Sequence, residues 1–363
     1  MKNKKLWKRI LLSALAVVLT LVIVVVAYAS YVFIAYYRID DNQKLEVVNH
    51  TTAKIETGKE LKAISYNIGF CAYTQDFSFF MDGGSESRAK SEESVNEVLK
   101  GIKALVKKEN PDLLLLQEVD ENATRSHHVN QRKFFTDNLT QYDTVFATNY
   151  DSPYLFYPIF EPHGKSLSGI MTMSKYDITS STRRQLPVED SVMKILDLDR
   201  CYSVSRMPTD NGKELVVYTA HLSAYTSDGT IATEQLKILT SDMRKEYEKG
   251  NYVICGGDFN KDLLIDSGKI FGVSGEDYTW AQAFPVDMLK GTHLSLVAPF
   301  NESKPVASCR DTSVTYKEKG QYRITLDGFI VSDNVQMHSS DVIDTKFKYS
   351  DHNPVYMSFT LKK

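Results

Sequence analysis

The stretch Tyr252-Val253-Ile254-Cys255-Gly256-Gly257-Asp258-Phe259-Asn260 reads as a buried strand that ends in a polar site. Four apolar residues in succession suit a strand covered on both faces. The paired glycines let the backbone turn tightly and let a ligand approach closely. An acid at the end of such a run is costly to desolvate unless another group or a metal ion uses it. The same arrangement recurs along the chain. Ala63-Ile64-Ser65-Tyr66 leads to Asn67, Leu113-Leu114-Leu115-Leu116-Gln117 to Glu118, and Val216-Val217-Tyr218-Thr219-Ala220 to His221. Ile324-Thr325-Leu326 leads to Asp327, and Asp351-His352-Asn353-Pro354 precedes the apolar run from Val355. Taken singly, each polar residue is a turn former. Together, at successive run boundaries, they point to one shared site.

Between these runs the periodicity turns helical. Val95, Val98, Leu99, Ile102, Leu105 and Val106 share one face, with Ser91 placed to cap the helix and Glu92 and Glu93 in its first turn. A second helix is predicted from Thr230 to Lys249, stopped by Gly250-Asn251. Further strands are predicted over Leu61–Tyr66, Asp143–Ala147, Gly169–Met173, Leu215–Ala220, Ile324–Val331 and Val355–Phe359. Residues 60–363 contain no Pro/Gly/Ser-rich linker and no internal repeat, so they read as one domain.

The other end of the chain is different. From Ile10 to Tyr37 there is no charged residue, whereas Lys2, Lys4, Lys5, Lys8 and Arg9 precede that stretch. A bilayer core needs roughly 20 apolar residues in a helix, so residues 1–37 read as a basic cytoplasmic flank and a single transmembrane anchor, with the rest of the chain outside. Ala27-Tyr28-Ala29 has the form of a signal-peptidase site, but apolarity continues past it, which favours an uncleaved anchor. Residues 38–59 are polar and aperiodic and read as a tether. Formal net charge is −3, and five positive charges lie in the flank, which leaves −8 for the remainder. That balance argues against unselective DNA binding, which calls for a basic face. Cys71, Cys201, Cys255 and Cys309 form no C-x-x-C pair, which excludes a zinc ribbon.

The motifs Ser65-Tyr66-Asn67-Ile68, Gln117-Glu118-Val119, Ser168-Gly169-Ile170, Thr219-Ala220-His221-Leu222, Gly257-Asp258-Phe259-Asn260, Leu326-Asp327-Gly328-Phe329 and Ser350-Asp351-His352-Asn353-Pro354-Val355 resemble those of the endonuclease/exonuclease/phosphatase superfamily. This is the fold of deoxyribonuclease I, and the motifs occur here in the family's order. The resemblance implies a four-layer α/β sandwich, in which two mixed β-sheets lie face to face between helices. It also implies a Mg²⁺ cofactor, with Mn²⁺ as the alternative, held by Glu118 with the support of Asn67 and Asp351. Asp327 would orient His352 as general base or phosphate-polarising group, and Asp258 would position the attacking water. Asn260 would stabilise charge on the phosphoryl oxygens, and His221 would assist the leaving oxygen or bind the phosphate. One departure concerns abasic-site repair. Apurinic endonucleases carry an acid two positions after the first-motif Asn, where this chain has Gly69.

These readings converge on a phosphoesterase at the cell envelope that acts on a phosphate ester such as a phospholipid head group. An extracellular nuclease is the enzymatic alternative, and a binding module that has lost its chemistry is the non-enzymatic one. No protein partner is readable. Tyr154-Leu155-Phe156-Tyr157-Pro158-Ile159-Phe160 is either an exposed contact surface or a satellite core, and Asp76 to Ser91 reads as an insertion that shapes the pocket. His127, His128 and His163 read as loop residues.

Overall fold

Leu113-Leu114-Leu115-Leu116 shows how the layers arise. Successive side chains of a strand point to opposite faces. Leu113 and Leu115 join one apolar cluster, and Leu114 and Leu116 join another. The computed structural model describes residues 2–48, 51–190, 194, 197–224, 230–275 and 282–363. In chain order the first strands are β1 (Gln43–Lys44), β2 (Val47–Val48), β3 (Glu60–Asn67), β4 (Leu113–Ala123), β5 (Asp143–Asp151), β6 (Ser166–Ser174), β7 (Ser180–Gln185) and β8 (Cys201–Pro208). They are followed by β9 (Glu214–His221), β10 (Tyr252–Asp258), β11 (Leu294–Val297), β12 (Cys309–Arg310), β13 (Arg323–Ile324), β14 (Asp327–Ser332), β15 (Val335–Val342) and β16 (Val355–Leu361). The helices are α1 (Lys2–Ala35), α2 (Glu92–Glu109), α3 (Gln131–Asn138), α4 (Thr230–Glu248) and α5 (Ser267–Phe271).

Two seven-stranded sheets result, one ordered β1-β7-β8-β9-β10-β14-β11 and the other β15-β16-β3-β4-β6-β5-β2. The cluster between them takes Ala63, Leu113 and Leu115 from one sheet and Val217, Ile254 and Phe329 from the other. Outside, Val95, Leu99 and Ile102 of α2 cover Ile64, Leu114 and Leu116, while Leu236, Leu239 and Met243 of α4 cover Val216, Val253 and Cys255. This is the four-layer sandwich that the resemblance implies. Helix α2 starts in a reciprocal capping box between Ser91 and Ser94 and ends on Asn110 in the left-handed conformation. Such a cap is worth about 1 kcal/mol.

The pairing directions explain why the polar residues gather. Strands β3 and β4 are parallel through α2, and β9 and β10 are parallel through α4. Their carboxyl ends therefore lie at one edge of the sandwich. Strand β14 runs antiparallel to β10 and β16 antiparallel to β3, so their starting residues lie at the same edge. In register, Asp258 pairs with His221 on one side and with Asp327 on the other.

Some elements differ from expectation. Within the expected tether, residues 43–48 are not a free connector, because β1 pairs with β7 and β2 with β5 through backbone groups that demand no particular side chain. The predicted strand over Ile324–Val331 divides into β13 and β14. At the break, Thr325 and Leu326 carbonyls accept from Leu263 and Phe259, and Ser308 Oγ accepts from the Leu326 and Asp327 amides. Strands β7 and β15 are polar enough to lack an apolar run, and sequence periodicity misses them. All four cysteines are buried and free.

The long helix α1 is apolar and exposed from Leu6 to Ala27, and beyond that Tyr28 and Tyr31 meet the segment that starts at Tyr154. By length and composition it is one candidate membrane span.

Candidate active site

Glu118 sits on a defect. Between Leu116 and Val119 the β4–β6 ladder shifts register, and Glu118 takes a positive φ of 56°. A bulge of this kind re-aims a side chain, and a non-glycine residue in that conformation is strained and held by its surroundings. The re-aimed carboxylate accepts from Asn67 Nδ2 at 3.0 Å. The same Nδ2 donates to Asp258 Oδ2 at 3.0 Å, and Asn67 Oδ1 accepts from Gly69 N at 3.0 Å. Asn67, from the end of β3, thus joins the acids of both sheets.

His352 lies opposite. Its Nδ1 donates to Asp327 Oδ2 at 2.7 Å, and its Nε2 lies 3.7 Å from Asp258 Oδ2. His221 Nε2 lies 3.7 Å from Asp258 and 4.0 Å from Glu118. Asp258 also accepts from the Asn260 amide at 2.9 Å, while Asn260 Nδ2 donates to Leu222 O at 2.7 Å. One of Asn260's two amide hydrogens is therefore committed to the backbone. Asp351 accepts from Ser350 Oγ at 3.1 Å, and Ser350 Oγ also lies 2.9 Å from the Asn67 carbonyl. Each sequence-predicted site residue thus stands within one contiguous group.

The charges in this group are unbalanced. Burial, reinforced by the neighbouring Asp327, raises Asp258 to about 7. Burial raises Asp351, with His352 opposing and Glu118 adding to the rise. Burial opposes charging of His352, but Asp327, with Cys309 and Asp351 behind it, outweighs that effect and holds the imidazole well above its usual range. His221 is driven the other way by burial, helped by Arg200 and His352. The two imidazoles are therefore set for opposite roles, one readily charged and one neutral. Such separation is what acid–base chemistry requires.

A divalent cation fits these residues on two observations. Glu118 and Asp351 act on each other as like charges, and both remain partly open to solvent above a buried floor of Asn67, Asp258 and Asp327. Hard cations such as Mg²⁺ bind through one or two carboxylates with water completing the shell. Cys309, which stands close to Asp351 and His352, is a poor thiolate ligand, because burial pushes its thiol up to about 12. The donor set is therefore one of oxygen.

Gly69 belongs to the same surface. It has a positive φ of 50°, and a Cβ there would stand 3.0 Å from Asp351 Oδ1 and 2.7 Å from a Tyr73 ring carbon. No acid can occupy this position without displacing those groups, so the departure noted at Gly69 is built into the local packing.

Two features are not readable from sequence. Arg125, buried, pairs with Asp120 at 2.8 Å, and its guanidinium lies 4.0 Å from the Phe70 ring centre. It braces the turn after Asn67 from behind. His163 is not on a polar loop, as expected, but is buried among Phe70, Phe79 and Phe80. Its Nδ1 meets the Ser87 carbonyl at 3.0 Å. The Asp76 to Ser91 insertion and the Tyr154 to Phe160 segment meet at this histidine. Their signal in the sequence is aromatic content alone, which does not distinguish a wall from a surface.

Structures of known proteins share the fold. An endonuclease/exonuclease/phosphatase from Beutenbergia cavernae is 18% identical with a TM-score of 0.59, covering 84% of this chain and 72% of that one. ANGEL2, a 2′,3′-cyclic phosphatase solved with adenosine-2′,3′-vanadate, is 17% identical with a TM-score of 0.56, covering 90% and 99%. The human Nocturnin catalytic domain with bound sulfate is 15% identical with a TM-score of 0.53, covering 88% and 97%. No curated protein matches the chain significantly in sequence. Residues 64–352 match the model of the Endonuclease/Exonuclease/phosphatase family, and the chain belongs to that family of hydrolases acting on phosphate esters.

Proposed function

We propose that the chain is a membrane-anchored phosphoesterase that needs a divalent cation and hydrolyses a phosphate ester at the cell envelope, with phospholipid head groups as the substrate class to test first. The observation that carries this reading is the Glu118–Asn67–Asp258 hydrogen-bonded bridge facing the His352–Asp327 pair at 3.7 Å. In this reading α1 spans the membrane, with its basic flank in the cytoplasm and the domain from residue 60 onward outside. Residues 38–59 form the connection.

Glu118 and Asp351 would hold Mg²⁺ or Mn²⁺, with Asn67 fixing the Glu118 carboxylate. Bound there, the cation neutralises charge that develops on the phosphoryl oxygens. Asp258, raised to about 7, is a competent acceptor for the proton of an attacking water and is oriented by the Asn67 and Asn260 donors. His352, kept cationic by Asp327, presents Nε2 to the phosphate as a charged donor. Asn260 offers its remaining amide hydrogen to the same oxygens. His221, kept neutral, stands beside Asp258 and Glu118 to receive or pass a proton at the leaving oxygen.

The test uses the full chain in detergent micelles, assayed on aryl phosphodiesters, phosphomonoesters, phospholipids and plasmid DNA with Mg²⁺ and then with EDTA. Metal-dependent turnover of a phosphate ester is the expected result. Turnover indifferent to EDTA, or none on any ester, would overturn the reading. Plasmid nicking that weakens steeply with salt would move the substrate to nucleic acid, because phosphate contacts release counterions.

A further inference from the structure

From the structure we infer that the loop from Tyr154 to His163 is a second membrane contact, seated at the outer headgroup boundary of the bilayer that α1 crosses. This rests on α1 being the anchor of the proposed function. Phe156, Tyr157, Ile159 and Phe160 are 57%, 68%, 75% and 101% exposed, an apolar cluster that stands mostly open to solvent. Soluble proteins seldom display such a cluster without a partner.

Continuity with α1 identifies the occupant. Tyr28 Oη donates to the Tyr154 carbonyl at 3.0 Å and accepts from Phe156 N at 3.1 Å, and Tyr31 Oη accepts from Tyr154 N at 3.1 Å. The Tyr28 and Phe156 rings meet edge-on at 5.7 Å. The apolar stretch of α1 starts at Ile10. At about 1.5 Å per residue, a hydrocarbon core of roughly 30 Å ends about 20 residues later. That places the boundary near Ala29 and Ser30, between the two tyrosines that hold the loop. Phe160, at the tip, therefore sits where aromatic and aliphatic side chains gain most from leaving water, and tyrosines collect at that depth in membrane proteins.

The loop is held in place from the other side as well. Leu155 and Gly164 exchange both backbone hydrogen bonds at 3.0 Å, and the Glu161 and Pro162 carbonyls accept from Ser87 Oγ and Arg88 Nε at 2.5 Å each. Below α1, Tyr37 Oη donates to Asp151 at 2.7 Å, and Arg38 pairs with Asp199. Through Phe80, 5.7 Å from Tyr157, and His163, 6.4 Å from Phe70, the loop abuts the turn that carries Asn67. Anchor, loop and site rim form one unit, which fixes the height of the site above the lipid.

The test places a nitroxide at Phe160→Cys and, separately, at Ile159→Cys of the full chain in phosphatidylcholine–phosphatidylglycerol vesicles. A control label goes at Lys108→Cys, 78% exposed at the end of α2 away from the site. The native cysteines are buried. Accessibility to oxygen and to a water-soluble nickel chelate is read by power saturation, and vesicle flotation is measured on the same samples. The expected result is flotation, oxygen exceeding nickel accessibility several-fold at 159 and 160, and the reverse at 108. If the chain floats but the loop labels match the control, the second contact is refuted and the anchor stands. If the chain does not float, both are refuted.

Discussion

Asp327→Asn exchanges one oxygen for nitrogen at a residue with no solvent exposure, so shape is preserved while charge is lost. The Ser308 hydrogen bonds to the Leu326 and Asp327 amides involve only backbone on that side and survive the change. The carboxylate that accepts from His352 Nδ1 at 2.7 Å does not survive it. A hydrogen bond to a charged partner contributes about 1.5–3 kcal/mol, against about 0.5–1.5 for a neutral pair. If the amide oxygen faces the ring, the loss is about 1 kcal/mol. If the amide nitrogen faces it, the whole bond is forfeited and the loss is about 3 kcal/mol. At tenfold per 1.36 kcal/mol, kcat should fall between roughly fivefold and 150-fold, and KM should change little, because Asp327 contacts the histidine and not the substrate. Steady-state hydrolysis of an aryl phosphodiester with saturating Mg²⁺ reads kcat and KM, and far-ultraviolet circular dichroism confirms folding. A folded variant with wild-type kcat would refute the positioning role of Asp327. A loss confined to KM would do the same.

Other predictions follow from the same contacts. Asn67→Ala removes the donor that fixes Glu118 and should raise the Mg²⁺ concentration for half-maximal activity by about 10–100-fold, as loss of a ligand's hydrogen-bond partner does; a metal titration of activity checks this. Gly257→Ala would put a Cβ 2.0 Å from the Ala220 carbonyl oxygen, where only backbone movement relieves the clash. A loss of about 1–3 kcal/mol or more is expected in urea unfolding. His163 is pushed down to about 4 by burial and by Arg125, against 6.5 when unfolded. The unfolded state therefore takes up the extra proton as pH falls, so the contribution is complete above about 6.5 and is lost progressively toward about 4. Between pH 7 and pH 5 that amounts to roughly 2 kcal/mol, and unfolding midpoints of His163→Gln should be less pH-dependent than those of the native chain by this amount. Identical pH dependence in both proteins would disprove the assignment.

Much of the fold was legible because buried strands and polar ends are local patterns. Leu113–Leu116 announces a strand between two layers, and Asp258 after paired glycines announces an edge site. The expected start of α2 and the expected span of α4 lie within a residue of those observed. Polar strands escaped notice because backbone pairing sets them: β7 presents Ser, Thr and Arg yet lies between β1 and β8. For the same reason residues 43–48 looked like a connector and became edge strands of both sheets. In the site, residue identities were legible but depth was not. Nothing local distinguishes His221 from His352, whose opposite protonation tendencies come from burial, helped by Arg200, at the first and from Asp327 outweighing burial at the second. His163 looked solvated for want of an apolar run, although Phe70 and the adjacent pair Phe79 and Phe80, far from it in the chain, enclose it.

The bulge that carries Glu118 sets sheet regularity against chemistry. Between Leu116 and Val119 the strand spends three steps where its partner, from Met171 to Gly169, spends two. Deleting a single residue there would let the ladder run unbroken from Leu113 to Asp120, relieve a left-handed backbone and leave every later residue facing its present side. The shortened protein would gain cohesion and forfeit the Glu118 carboxylate that Asn67 holds beside Asp258 of the other sheet. Selection for thermal robustness alone would tend to erase such an irregularity, and the position of this one at the site supplies a demand that robustness does not.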